Sequence, residues 1–249
     1  MKTFTNKHYL NLNNRAFDSI KRGTKKIELR ANSGDIDYNN FNIHDKIIFK
    51  NDNDEEIVCE ILCNNHYNSI EELLMLEGTR YTTSSTNDYN EAISNVLKLN
   101  DYKERIEKNG INAIHISYLY DSTNIWSSLY EAAKKVLNSR ELSDSVNAGG
   151  VAAALLTESG NIYSGVCIDT ACSIGMCAER NAIGNMITHG ESKILKLICI
   201  GSHNDNIMMP CGVCRELLMQ LGNSDMEIIT DLEKQSIVSL NDLMPNWWK

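Results

Sequence analysis

The sequence predicts an α+β protein of two domains, with the boundary near residue 121. Residues 1–121 are rich in short stretches of β-branched and aromatic residues, which favour strands. In residues 122–249 strands and helices alternate, an order that favours a partly parallel sheet with helices on its faces. The polar segment "DSTNIWSS" (121–128) separates these two patterns and is the predicted boundary.

The first domain is predicted to contain a helix over 13–23, with an Asn at its start and a Gly at its end. Three strands follow, at "KKIELR", "DKIIFKN" and "EEIVCEIL". The pattern between 69 and 109 is mostly helical, and "NAIHISYL" (112–119) predicts a closing strand. This half therefore reads as a small sheet with helices.

The second domain is predicted to open with a helix over 129–139 and a hairpin over 150–168 that turns at "ESGN". The following elements are a helix at "CAERNAIGNMITHG", a strand at "LKLICIG", a helix at "CGVCRELLMQLG", a strand at "MEIITD" and a weak helix at "SLNDLMPNWW".

The composition limits the partners. The chain has 249 residues and a net charge of −9, and an acidic surface opposes general attraction to phosphate backbones and anionic lipids. The first residues lack the apolar core of a signal peptide, and no later run reaches the roughly 20 apolar residues of a membrane span. We expect a cytoplasmic protein, in which the eight cysteines are thiols or metal ligands rather than disulfides.

Three cysteines have the spacing of a zinc site. Cys211 and Cys214 share one face of a helical turn that Pro210 is suited to begin, and thiolates are favoured near a helix N-terminus. Cys177 is the natural third ligand, and three protein ligands leave zinc an open position for water. Glu179 stands where a carboxylate can serve that water, as in zinc deaminases. A redox CxxC motif is the alternative. The remaining cysteines in strand-like or loop contexts are interpreted as small buried residues: Cys59, Cys63, Cys172 and Cys199.

From about residue 129 to 248 the sequence resembles the cytidine deaminase family in its three-cysteine form. The similar segments are "VAAALLTESGNIYSGV", "CAERNAI", "PCGVCRELL" and "LNDLMPNWW". The resemblance implies an α/β/α fold with a mixed central sheet and one zinc ion per deaminase domain. It also implies that Glu179 carries protons in the hydrolytic deamination of a cytosine nucleoside, and that Arg180 donates a hydrogen bond to a ligand thiolate.

The substrate end departs from the family. "GVCIDTA" places Cys167 and Asp169 where the family has the Asn and Glu that hold the ribose hydroxyls. We expect Cys167, Asp169, Ala178 and Trp247 to contact the substrate, which is cytidine, deoxycytidine or a modified cytosine nucleoside. A blasticidin-like antibiotic and RNA are the alternatives. The resemblance also implies a homo-oligomer, a dimer or tetramer.

Residues 1–121 resemble the ASCH family through "GTKKIELR" and "DKIIF". The resemblance implies a PUA-like β-barrel that binds RNA or hydrolyses 4-acylated cytidines. Lys25, Glu28 and Arg30 form its candidate ligand site, and Glu28 replaces the Thr of the family members with amidase activity. The alternative for this cluster is an ion pair on the surface of a solvated strand.

Overall fold

The computed structural model describes residues 6–33, 36–203 and 205–249, and they form two compact units. One unit extends to Thr123, and the other runs from Asn124 to Lys249. The boundary between the two units lies two residues beyond the boundary at residue 121 that the sequence predicts. In the described ranges, every helix is too short or too polar to cross a membrane.

Among its described residues, the first unit contains a mixed sheet and four helices. Its strands are β1 (Lys7–Asn11), β2 (Ile27–Ala31), β3 (Lys46–Lys50), β4 (Glu56–Tyr67) and β5 (Ile111–Asp121). Its helices are α1 (Asn14–Lys21), α2 (Ile70–Glu77), α3 (Tyr89–Leu97) and α4 (Tyr102–Asn109), with a 3-10 turn at Tyr38–Asn40. The sheet order is β1-β3-β4-β5-β2, in which only β1 and β3 run parallel among the pairs formed.

The order of this sheet puts β1 and β2 at its two edges. Because these two edge strands are not neighbours in the strand order, the closed β-barrel expected from the sequence stays a prediction. The helix expected over 13–23 forms as α1, and the Asn13 side chain caps it by accepting a hydrogen bond from the Ala16 backbone N–H. The strand β1 is an element that the sequence analysis did not predict, because "KHYLN" has no clear alternation of apolar and polar residues.

The second unit is a mixed sheet with helices. Its strands are β6 (Arg140–Ser143), β7 (Val146–Thr157), β8 (Ile162–Thr170), β9 (Ile194–Gly201), β10 (Glu227–Asp231) and β11 (Ser236–Ser239). Its helices are α5 (Ile125–Val136), α6 (Ala178–Thr188), α7 (Gly212–Gln220) and α8 (Leu240–Leu243). The sheet order is β11-β10-β9-β7-β6, and β8 pairs with β7. The expected parallel component is the pairing of β9 with β10.

The segment 121–128 is not wholly a linker. Helix α5 begins at Ile125, four residues before the predicted start, and Trp126 in its first turn is buried. The polar residues around Trp126 hide this helical turn in the sequence, because a single large apolar residue does not establish a period. The short strands β6 and β11 were also missed.

Helix α6 packs closely against β8, and Gly165 makes this approach possible. A Cβ atom at position 165 would lie 2.3 Å from the Ala182 nitrogen and 2.8 Å from the Ala178 oxygen, both in the α6 backbone. Only glycine leaves room for the helix at this distance. The glycine therefore fixes the position of the first turn of α6, which carries Glu179.

Candidate active site

Two helices of the second unit begin at cysteines. Cys177 is the N-cap residue of α6, and Cys211 is the N-cap residue of α7. Both have extended backbone conformations, and neither side chain makes a capping hydrogen bond. Residues that usually cap helices use their side chains to satisfy the first N–H groups. Instead, the sulfur atoms of Cys177 and Cys211 lie next to each other.

The structure brings three of the predicted ligand atoms together. The Sγ atoms of Cys177 and Cys211 are 3.5 Å apart, and those of Cys211 and Cys214 are also 3.5 Å apart. All three sulfur atoms lie within 4.8 Å of one another. Tetrahedral zinc with Zn–S bonds of about 2.3 Å needs sulfur atoms about 3.8 Å apart. The three thiols therefore fit one zinc ion, and they supply three of its four ligands.

The thiols differ in their acidity without a metal. Burial raises the pKa of Cys177 and that of Cys214. Burial also opposes ionisation of Cys211, but backbone N–H groups of Cys214 and Val213 and the two neighbouring thiols outweigh it and lower the pKa of Cys211. This lowering is the behaviour expected of a thiol at a helix N-terminus. Cys211 is also the exposed member of the cluster, whereas Cys214 is buried.

Glu179 lies in the first turn of α6, two residues after Cys177, and its side chain is 4% exposed. It lines a cavity of about 600 Å³ together with Cys177 and Cys211. A cavity of this size is typical of small-molecule sites. The carboxylate is thus shielded from bulk water and faces the same space as two of the three candidate ligands.

Two arginines hold the chain segments that lead into the ligand cysteines. Arg180 donates from Nη2 to the Gly175 carbonyl at 3.1 Å, and Arg215 donates from Nε to the Pro210 carbonyl at 2.7 Å. Each arginine reaches back five residues and so fixes the turn before Cys177 or Cys211. Arg215 was not expected from the sequence to have a role, although it follows the second pair of candidate ligands much as Arg180 follows Cys177.

The Arg180 contact is not the thiolate contact that the sequence resemblance implies. Its Nε is buried and has no hydrogen-bond partner among the residues that the structure describes. A buried donor without a partner is costly. The thiolate bond itself stays a prediction.

Replacing Arg180 by alanine is expected to lower kcat while the protein keeps its zinc, because the three sulfur ligands remain. Loss of an outer partner of a metal ligand typically costs about 10- to 100-fold in activity or affinity. Turnover and zinc content of purified Arg180→Ala check this. A variant with the rate of the unchanged protein would rule out the role.

The expected substrate contacts divide into two groups. Cys167, Asp169 and Ala178 line the same cavity as Glu179. The Cys167 Sγ accepts a hydrogen bond from the Val151 N–H at 3.2 Å and donates to the Asp169 carboxylate at 3.3 Å. Asp169 is exposed at the rim, so its carboxylate is accessible from the entrance of the cavity.

Trp247 lies elsewhere in the second unit. It is not among the described residues that line the cavity, and it packs against the hydrophobic core. Its indole N–H donates to Glu216 Oε2 at 2.9 Å, and that of Trp248 donates to Oε1 at 3.1 Å. Within one chain these two hydrogen bonds hold the C-terminal residues against α7. A contact between Trp247 and a substrate stays a prediction.

In the first unit, Lys25, Glu28 and Arg30 form a buried cluster. Glu28 is 5% exposed, and its two oxygens lie 3.3 Å from Lys25 Nζ and 2.9 Å from Arg30 Nε. Lys25 Nζ also donates to the carbonyls of Ile27 and Thr82. The alternative of a solvated surface ion pair is therefore wrong. All three residues line a cavity of about 440 Å³.

The charges of this cluster depend on each other. Burial lowers the pKa of Lys25, although Glu28 acts in the opposite direction. Burial also opposes the charge of Arg30, but Glu28 and two tyrosines outweigh it and raise the pKa of Arg30. Lys25 Nζ donates to two backbone carbonyls and lies beside Glu28, so in this conformation it acts as a donor.

Comparisons with known proteins identify the family that the second unit resembles. Residues 127–230 match the family model described as the cytidine and deoxycytidylate deaminase zinc-binding region. A cytidine deaminase from Sporosarcina psychrophila is 31% identical over 96 residues, which are 36% of this chain and 70% of that protein. A blasticidin-S deaminase from Bacillus cereus is 26% identical over 103 residues, 38% of this chain and 74% of that protein.

A solved structure is similar over half of the chain. The crystal structure of cytidine deaminase from Mycobacterium tuberculosis is 25% identical and has a TM-score of 0.43. The match covers 50% of this chain and 97% of that one.

Proposed function

Because this chain belongs to the cytidine deaminase family, we propose that it removes the 4-amino group of cytidine, deoxycytidine or a modified cytosine nucleoside by zinc-dependent hydrolysis. The products are the uracil compound and ammonia. The observation that carries the proposal is the group of three cysteine sulfur atoms within 4.8 Å of one another, two of which belong to residues that line a cavity with the buried Glu179.

The metal would be held by Cys177, Cys211 and Cys214 in the second unit. Zinc in such a site makes a water molecule nucleophilic near neutral pH. The positive ends of α6 and α7 meet at the cluster and offset part of the charge of three thiolates. The orphaned Nε of Arg180 supports the same assignment, because an anionic sulfur would give it an acceptor.

Glu179 moves the protons of the reaction. As the water oxygen bonds to C4 of the cytosine ring, the Glu179 carboxylate accepts a proton from that water and passes it to N3. It then accepts the remaining hydroxyl proton and gives it to the 4-amino nitrogen. The bond between C4 and that nitrogen breaks, C4 becomes a carbonyl, and ammonia leaves. Because the side chain is buried, water does not compete for these protons.

The direct test is a screen of cytosine nucleosides and their 4-substituted derivatives with the zinc-loaded protein. We expect ammonia release together with the absorbance change of conversion to uracil for at least one nucleoside. A matched control is the same protein treated with a chelator and then resupplied with zinc, which should lose and regain the activity. Absence of ammonia from every compound would contradict the proposal.

Cys167 and Asp169, at the rim of the cavity, recognise the substrate. Cys167 donates to Asp169 and so uses one acceptor site of the carboxylate, which leaves the other oxygen for a substrate hydroxyl or cation. Asp169→Ala is expected to raise KM about 10-fold, the range of one lost hydrogen bond to a charged group, with little change in kcat. Steady-state kinetics measure KM and kcat separately. An unchanged KM would show that Asp169 has no part in substrate recognition.

A blasticidin-like antibiotic is the second candidate substrate, because a deaminase of this kind is among the relatives and because the cavity rim carries an exposed carboxylate. RNA is the third candidate. The net charge of −9 disfavours it, and a steep decrease of single-stranded RNA binding with salt would favour it.

We further propose that the first unit is an ASCH domain whose ligand site contains Lys25, Glu28 and Arg30. The buried cluster on a cavity wall supports a polar ligand there. The domain binds RNA or hydrolyses 4-acylated cytidines, and the donor state of Lys25 favours binding. Acetate release from N4-acetylcytidine by the Glu179→Gln full chain, with Lys25→Met added as control, decides between the two.

The expected homo-oligomer, a dimer or tetramer, is also a proposal. Large apolar side chains are exposed in the second unit, among them Ile174, Val213 and Met208, and Met208 also lines the cavity. Surfaces of this kind are often covered in assemblies. The mass of the protein in solution by light scattering tests this, and a monomer at micromolar concentration would contradict it.

A further inference from the structure

A further cavity of the first unit, of about 550 Å³, lies beside the loop between α2 and α3. It is lined by Thr24, by Arg80 and by the loop residues 83–87, of which four carry hydroxyl groups. In the part of the chain that the structure describes, no acidic residue lines it. The cavity thus combines a positive charge with hydrogen-bond donors, which is the chemistry that binds anions.

Three carbonyl groups of this loop already accept hydrogen bonds from other side chains. Arg15 donates from Nε to the Ser84 carbonyl at 2.7 Å and from Nη2 to the Ser85 carbonyl at 2.8 Å. The Thr83 hydroxyl donates to the Thr86 carbonyl. In a trans peptide the carbonyl and the following N–H point in opposite directions, so the N–H groups of Ser85 and Thr86 point away from Arg15.

The N–H groups of the same loop lack such partners. Those of residues 84–87 make no hydrogen bond to the residues that the structure describes. The Ser85 hydroxyl accepts from Asn95 Nδ2 at 3.3 Å, but neither it nor the Ser84 hydroxyl donates to a described residue. The loop therefore offers donors whose acceptors are missing, and successive N–H groups of this kind form concave sites for anions.

Two cations lie beside the tyrosine that lines this cavity. The centre of the Tyr81 ring is 5.1 Å from Arg80 Cζ and 5.0 Å from Lys26 Nζ. Neither cation forms an ion pair with another described residue. Glu91 accepts a hydrogen bond from the Thr86 hydroxyl at 2.7 Å but is not among the described lining residues. An anion in the cavity would supply the negative charge that these two cations lack.

We propose that this cavity binds a phosphate group, with the charge supplied by Arg80 and the hydrogen bonds by the N–H and hydroxyl groups of residues 84–87. The phosphate belongs either to a free phosphorylated molecule or to an RNA backbone. Residues 83–85 also line the neighbouring cavity of Lys25, so one ligand can extend into both cavities. This extension rests on the ligand site proposed for the first unit, whereas the phosphate site itself does not.

Inorganic phosphate tests the site in the full chain. In two-dimensional NMR spectra, the amide resonances of residues 84–87 should shift with added phosphate until they saturate. Arg80→Gln removes the charge at similar size and should weaken phosphate binding about 10-fold, the range of one lost hydrogen bond to a charged group. The matched control is Arg140→Gln, at an exposed arginine of the second unit, and it should leave the affinity unchanged.

Octauridylate without terminal phosphates distinguishes the two sources of the phosphate. Shifts of the same amides that weaken with salt would assign an RNA backbone, and shifts with inorganic phosphate alone would assign a free phosphorylated molecule. The inference would be overturned if neither probe moved these amides, or if Arg80→Gln bound phosphate as tightly as the unsubstituted protein. Because neither zinc nor ammonia release enters this test, its failure would leave the proposed deamination untouched.

Discussion

Replacement of Glu179 by glutamine is expected to lower ammonia release by at least about 10³-fold, because the side chain is the proton carrier for two successive transfers. Glutamine has nearly the same size and keeps a hydrogen-bond acceptor, but its amide does not take up a proton near neutral pH. Zinc content should stay at that of the unsubstituted protein, since Glu179 is not a ligand in this account. The measurements are kcat with the best nucleoside of the screen and zinc by mass spectrometry.

The control for this variant is Glu233→Gln, which makes the same chemical change at an exposed position between β10 and β11. It should keep the full rate. If Glu179→Gln lost its zinc together with its activity, the carboxylate would have a role in holding the metal or the fold. If it kept more than a tenth of the rate, a different group would carry the protons.

The second large effect is expected at the ligands. Cys214→Ala removes the buried member of the sulfur cluster, and the remaining pair cannot hold zinc as a catalytic site with three protein ligands does. We expect a loss of more than about 100-fold in zinc affinity, beyond the cost of removing an outer hydrogen-bond partner. Activity should fall with the metal. Competition with a chromophoric chelator measures the affinity.

The sequence interpretation of Cys172 as a buried residue is wrong, because its thiol is exposed. Cys172→Ala is the matched control, because Cys172 lies five residues before Cys177 and is not part of the described sulfur cluster. It should bind zinc and turn over as the unsubstituted protein does. Equal zinc affinity in Cys172→Ala and Cys214→Ala would show that the three-sulfur site is not where the metal binds.

Much of the second unit could be predicted from the sequence because its signals are local. The cysteines at 211 and 214 share a helical turn, and the apolar runs around "ESGN" predict β7 and β8 without knowledge of the fold. The contact between Cys177 and the other two cysteines is long-range. It was predicted only because the sequence shares the motif of zinc deaminases.

Other parts of the site depend on packing that the sequence does not display. Cys199 and Glu179 line one cavity only because alternation along β9 and the close approach of α6 at Gly165 bring them there. The burial of Glu28 between two cations was equally hidden, because a charged residue in a strand reads as solvent-exposed until its neighbours are known.

The central claim is that three cysteine sulfur atoms hold zinc and leave its fourth position to water beside Glu179. X-ray absorption at the zinc edge of the purified protein measures the ligands directly. The account predicts three sulfur atoms at about 2.3 Å and one oxygen at about 2.0 Å. A shell of four sulfur atoms, or a nitrogen ligand from the protein in place of the oxygen, would contradict it.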